Sequence, residues 1–125
     1  MRAARGAIAV ERNTPDAILA STGRLLGAIL DRNDVSREDL VSVLFTATQD
    51  LDAAFPAEAA RGMGLARVPL MCAREIPVAG SMPRVVRVLL HFHSDRALDD
   101  VVHVYLDGAE TLRDDLDVPA DGGDG

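Results

Sequence analysis

VPLMCAREIPVAGSMPRVVRVLLHFH, residues 68–93, holds two apolar runs of strand character, Val68–Ile76 and Val85–Phe92. Pro77 ends the first run and Gly80-Ser81 turns the chain toward the second. Both carry charge that a buried sheet avoids: Glu75 near the end of one, Arg87 among Val85, Val86, Val88, Leu89 and Leu90 in the other. An unpaired charge in a core costs several kcal/mol, so such residues are paired, exposed or functional. Two readings follow. Arg87 lies on a solvent face or in a structural ion pair, or Arg87 and Glu75 line a pocket and face a polar ligand.

Outward from this stretch, 125 residues predict one domain with room for a hydrophobic core. Apolar residues make up 48%, but only three Phe and one Tyr are aromatic, so that core is aliphatic. No window approaches the roughly 18 apolar residues of a membrane span. The opening MRAARGAIAVERN has an apolar run too short for a signal peptide, and a single cysteine, Cys72, cannot staple a fold. The expected compartment is the cytoplasm. The net charge is −7, and five acids (Asp114, Asp115, Asp117, Asp121, Asp124) follow Arg113 with no base among them, which leaves −2 for the rest. That near-balance argues against a nucleic-acid partner. Residues 1–113 are expected to form the domain, and 114–125, poor in apolar residues, an acidic flexible tail. All 13 bases are arginines. A codon bias explains most of that count, so position rather than number must carry any functional argument.

Ala3–Glu11 reads as a first strand, with Arg5 beside Gly6, where a backbone can pass close to a ligand. Thr14-Pro15-Asp16 reads as a helix start, and Ile18, Leu19, Thr22, Leu25, Leu26, Ile29 and Leu30 form one face over nearly four turns. Ser36 with Asp39 forms a capping box on a short helical turn, and Leu40–Thr46 is a second strand. Phe55–Arg61 predicts a second short helix with Pro56 at its first position, stopped by Gly62 and Gly64. The third strand carries Cys72 and Glu75, the fourth carries Arg87, and Val101–Leu106 is a fifth apolar run with the sole tyrosine, Tyr105.

Local motifs offer no covalent or acid–base machinery. His91 and His93 share a strand face, but no third or fourth ligand is spaced to complete a metal site, so no metal is expected. Cys72 has no motif that places a base beside it and reads as a small buried or half-buried thiol. A glycine-rich phosphate loop and a Ser–His–Asp signature are both missing.

Taken together, the fragments Arg5-Gly6-Ala7 with Val10-Glu11-Arg12, Ala47-Thr48 with Asp50-Leu51, and Phe55-Pro56-Ala57 reaching Arg61 form an ordered set. Val68-Pro69 with Cys72 and Glu75, Arg87-Val88, His103-Val104-Tyr105-Leu106, and Leu112-Arg113 with Asp115-Leu116 continue it. In order and spacing, over about residues 5–116, the chain resembles the small monofunctional chorismate mutases of the trimeric α+β class. The resemblance implies a mixed β-sheet with helices on one face, three subunits with their sheets packed around a three-fold axis, and active sites at the subunit interfaces. It implies the conversion of chorismate to prephenate, on the route to phenylalanine and tyrosine, by an intramolecular pericyclic step that needs no cofactor, nucleophile or metal.

The resemblance also distributes roles. Arg87 would donate to the ether oxygen, Arg5 hold a substrate carboxylate, Tyr105 donate its hydroxyl to a carboxylate, and Glu75 accept from the ring hydroxyl. Cys72, with Met71, Ala73 and Arg74 around it, would contact that end of the substrate. Phe55, Ala57, Leu70 and Leu112 would form an apolar wall, with Arg61 and Arg113 at the entrance. The chain departs from the family pattern at Glu58, where a lysine is usual near the mouth, and at Met71, where a small polar residue is usual. Two other readings use the same arginines: a trimeric imine or enamine deaminase, and a non-catalytic trimer that binds a small molecule. Turnover of chorismate separates the first reading from both.

Overall fold

Alternation along the strands sorts the sheet into two unlike faces. In the computed structural model, which describes residues 1–113, the chain runs β1 (Arg2–Ala9), α1 (Pro15–Arg32), β2 (Leu40–Ala47), α2 (Ala57–Gly62), β3 (Leu70–Arg74), β4 (Val85–Phe92) and β5 (Val104–Leu106). Short 3-10 turns stand at Arg37–Asp39, Leu98–Asp100 and Ala109–Arg113. The expected tail, 114–125, lies outside the described residues. The five strands form one mixed sheet in the order β3-β2-β4-β1-β5. β4 is antiparallel to β1 and β2, while β1 pairs β5 and β2 pairs β3 in parallel.

One face is the core. Ala4 and Ile8 of β1, Val43 and Phe45 of β2, and Val86, Val88, Leu90 and Phe92 of β4 are buried together with Ile18, Leu25, Leu26 and Ile29 of α1. Ala57 and Ala60 of α2 join the same cluster, so both helices cover one face. The fold is α+β, as expected. Each fully buried Leu, Ile, Val or Phe contributes about 1.5–3 kcal/mol, which explains how an almost purely aliphatic set holds the two layers together. At Gly6 the β1 backbone passes close to both β5 and α1. A Cβ there would lie 2.6 Å from the Val104 carbonyl oxygen and 2.8 Å from Ile29 Cδ1.

Helix ends follow the sequence signals. Thr14 Oγ1 accepts from the Ala17 N–H at 3.2 Å, and Pro15 is the first residue of α1. Asp39 accepts from both the backbone N–H and the hydroxyl of Ser36. Pro56 stands just before α2, already in helical conformation, rather than as its first residue.

Three strands are shorter than the apolar runs that suggested them, each for a hydrogen-bonding reason. β1 stops at Ala9 instead of Glu11; Val10 donates to the Arg84 carbonyl at 2.7 Å, the last such bond before the chain turns toward α1. β3 covers Leu70–Arg74 rather than Val68–Ile76, because its neighbour β2 ends at Ala47, whose carbonyl takes the Glu75 N–H at 3.0 Å. β5 covers Val104–Leu106 rather than Val101–Leu106 because buried Asn33, at the C-terminus of α1, takes both backbone groups of Val102. Asn33 Nδ2 donates to the Val102 carbonyl at 2.9 Å, and its Oδ1 accepts from the Val102 N–H at 2.8 Å. Arg24 binds Asp107 just past β5 at 2.5 Å. One side chain of α1 and one at its C-cap therefore anchor the chain on either side of this three-residue strand.

Candidate active site

The sheet's other face is where the charges stand. Its residues line up in rows across the strands. Tyr105 pairs with Ala7, Ala7 with Arg87, Arg87 with Thr46, and Thr46 with Ala73. In the next row Arg5 pairs with Leu89, Leu89 with Leu44, and Leu44 with Met71. Small neighbours, Ala7 and Thr46, flank Arg87 and leave space above the sheet for its long side chain. Leu44 is 36% exposed and Met71 62%, so the apolar part of this face is uncovered in the single chain.

Arg5, Thr46, Glu75, Arg87 and Tyr105 line one cavity of about 240 Å³, with Leu44 and Leu89 as its floor. Arg87 Nε lies 3.4 Å from Glu75 Oε2, but its buried N–H finds no hydrogen-bond partner among the described residues. The pair is within electrostatic reach but not aligned for a hydrogen bond. Thr46 Oγ1 donates to the same oxygen of Glu75. The side chains of Arg87 and Glu75 are 40% and 23% exposed. A pair so open to solvent contributes at most about 1 kcal/mol to stability, so fold stability does not account for a charge in an apolar strand. The Arg5 backbone N–H donates to His103 Nδ1 at 3.0 Å, which requires that ring nitrogen to be unprotonated. Tyr105 is buried against Ala7, Val85 and Ala109, and Leu112 packs on that group.

A second hollow, about 540 Å³, lies around edge strand β3 beside α2 and is lined by Phe55, Glu58, Cys72, Ala73 and Arg74 together with Pro15, Leu19 and Leu51. Phe55 is exposed over its rim, and Arg74 Nη1 donates to the Gln49 carbonyl at 3.1 Å. The sequence-predicted residues thus divide. Arg87, Glu75, Arg5 and Tyr105 share the first cavity, with Leu112 behind Tyr105. Phe55, Cys72, Ala73 and Arg74 share the second. Cys72 packs against the helix-covered core, and Met71, next to it, faces the opposite way. Ala57 is buried at the start of α2, Leu70 packs on the core, Arg61 is exposed on α2, and Arg113 ends the last 3-10 turn.

The sequence reading gave Thr46 no site role, and Ala7 only a place in a matching fragment. Thr46 reads there only as the end of a strand, and alternation with Leu44 gives its face but not its neighbour. His91 Nδ1 is 3.1 Å from the Ser42 hydroxyl. Among the described residues no three His, Cys, Asp or Glu side chains gather as metal ligands would.

A mixed sheet with helices on one face and a cavity lined by Arg5, Arg87 and Glu75 on the other defines a small α+β protein with a candidate polar-ligand site on its open face. Residues 1–116 match the family "Chorismate mutase type I". A chorismate mutase from Thermus thermophilus is 53% identical over 118 residues, 94% of this chain and 97% of that protein. One from Bacillus subtilis is 41% identical over 117 residues, 93% and 92% of the two chains. The solved structure of a chorismate mutase from Clostridium thermocellum superposes with a TM-score of 0.88 at 46% identity, covering 90% of this chain and all of the other. The chain belongs to the type I chorismate mutase family, and its activity is that of a chorismate mutase, an isomerase.

Proposed function

We propose that the cavity around Arg87 binds chorismate and carries its rearrangement to prephenate. The carrying observation is the buried Arg87 Nε–H, which lacks a hydrogen-bond partner among the described residues in a cavity shared with Arg5, Glu75 and Tyr105. In this reaction one C–O bond breaks as one C–C bond forms within the same molecule, so atoms balance without a proton carrier. Two things lower its barrier. The enolpyruvyl arm must be held over the ring in a near-attack geometry, and charge developing on the ether oxygen must meet a cation already in place. Arg87 supplies that cation. Arg5 grips a carboxylate, Tyr105 donates its hydroxyl to a carboxylate, and Glu75 accepts from the ring hydroxyl. The family resemblance assigns Cys72, Met71, Ala73 and Arg74 to the hydroxyl end, Phe55, Ala57, Leu70 and Leu112 to an apolar wall, and Arg61 and Arg113 to the entrance. Phe55, Cys72, Ala73 and Arg74 line the second hollow of the same chain, so they reach this substrate only across a subunit contact.

The working form is a homotrimer with its sheets facing the three-fold axis. The uncovered Leu44, Leu89 and Met71 row supports this, since an apolar patch of this kind marks an interaction surface. The cavity supports it too: about 240 Å³ is below the ~300–1,000 Å³ usual for ligand sites. A neighbouring subunit that adds its own wall completes the site. The enzyme works without a cofactor, in the cytoplasm; no helix among the described residues is long and apolar enough to cross a membrane.

The test is loss of chorismate absorbance and appearance of prephenate with purified protein, run beside light scattering on the same sample. Turnover by a trimer is the expected result. Chorismate binding by a trimer without turnover would overturn the catalytic assignment.

A further inference from the structure

We propose that Thr46 is a positioning residue for the catalytic arginine, acting through Glu75. The inference rests on the roles given above to Arg87 and Glu75.

Beside a carboxylate, an arginine frequently adopts a two-point fork with N–H···O distances of about 2.7–2.9 Å. This pair does not. Arg87 Nε stands 3.4 Å from Glu75 Oε2 and makes no hydrogen bond to it. The difference is a third group. Thr46 is directly opposite Arg87 across the β2–β4 ladder, and its hydroxyl donates to that same Oε2. The backbone of Glu75 is fixed at the same end of β2, through its N–H to the Ala47 carbonyl at 3.0 Å. The carboxylate is therefore held by the Thr46 hydroxyl, and the backbone that carries it by the Ala47 carbonyl, so β2 draws it toward that strand and off the fork geometry. Its negative charge stays near the guanidinium and orients it, while the Nε–H remains unspent inside the cavity. A donor reserved in this way has no bond to break when it turns to a developing charge on substrate.

The chemistry needs a hydroxyl at residue 46, not merely a β-branched shape. Valine keeps the shape and the strand preference but removes the donor. Without that donor Glu75 is free to close the fork on Arg87 and consume the N–H.

The experiment compares Thr46→Val, Thr46→Ser, Glu75→Gln and the double variant Thr46→Val/Glu75→Gln by steady-state chorismate turnover, with thermal melts on each. Thr46→Val is expected to lower kcat about 10-fold or more, with a smaller change in KM. Thr46→Ser is expected to retain kcat within about threefold, because it keeps the donor. In the Glu75→Gln background the valine change is expected to cost little further, since residues acting through one another are not additive. A Thr46→Val enzyme with unchanged kcat, or an equal loss with and without Glu75, would overturn the proposal. If Glu75→Gln itself left kcat unchanged, the role of Glu75 would fall and the proposal with it. If the valine does not fold, Thr46→Ala supplies the same comparison.

Discussion

Arg87 Nε and Glu75 Oε2 stand 3.4 Å apart on the uncovered face of the sheet, an ion pair without an aligned hydrogen bond. Its partial exposure makes it a poor stabiliser of the fold. A half-met cation facing a cavity is instead suited to meet negative charge that appears only as a bond breaks.

Arg87→Ala should therefore fold and assemble normally but lose at least about 100-fold in kcat, the scale for removing one preorganised donor. Arg87→Lys should also be poor, because an ammonium cannot reproduce the guanidinium fork. Steady-state kinetics with circular dichroism decide this; near wild-type kcat in the alanine variant would remove Arg87 from the mechanism.

Leu44 lies between Leu89 and Met71 on the same face and is partly exposed in the single chain. Leu44→Asp places a charge in the proposed subunit contact, where desolvation without a partner costs several kcal/mol. Light scattering should report a monomer with unchanged secondary structure and little turnover. A trimer of wild-type mass would mean that assembly uses another face.

Gly6→Ala should destabilise by about 1–3 kcal/mol, the usual cost of overpacking. The new methyl meets a backbone carbonyl of β5 and the tip of Ile29, and the carbonyl cannot turn aside as a flexible side chain would. Thermal unfolding measures the loss. Activity should drop as well, because spreading β1 from β5 separates Arg5 from Tyr105.

Thr22 is fully buried in α1, and its hydroxyl finds no hydrogen-bond partner among the described residues. Thr22→Val removes that unmet group while keeping the shape, and should stabilise by about 1 kcal/mol, near 4 °C in Tm. Kinetics should not change. A lower Tm would show that the hydroxyl is satisfied in solution.

Much of the candidate site was legible because its oddities are local. A charge inside Val85–Phe92 stands out without knowledge of any partner, and the ordered fragments around Arg5, Phe55, Glu75, Arg87 and Tyr105 supplied a family resemblance. The share of Thr46 was not legible. Its importance comes from the register that sets it opposite Arg87 and from a carboxylate 29 residues away. Nor was Asn33, whose amide closes the gap to Val102 across 69 residues. Its claim on that backbone is also why the fifth apolar run became a strand of only three residues.

By itself the sequence determined the element order, the helix caps and the inward face of α1, because turns, caps and periodicity depend on residues within about four positions of each other. It also carried the family, through fragments whose spacing the fold preserves. Only the tertiary structure decided the strand order β3-β2-β4-β1-β5, and with it which side chains share a row. Pairing between strands far apart in the chain is chosen by which faces can be buried together, a property of the whole assembly of elements rather than of any one stretch. That choice gathers Arg5, Thr46, Glu75, Arg87 and Tyr105, drawn from across a hundred residues, around a single cavity.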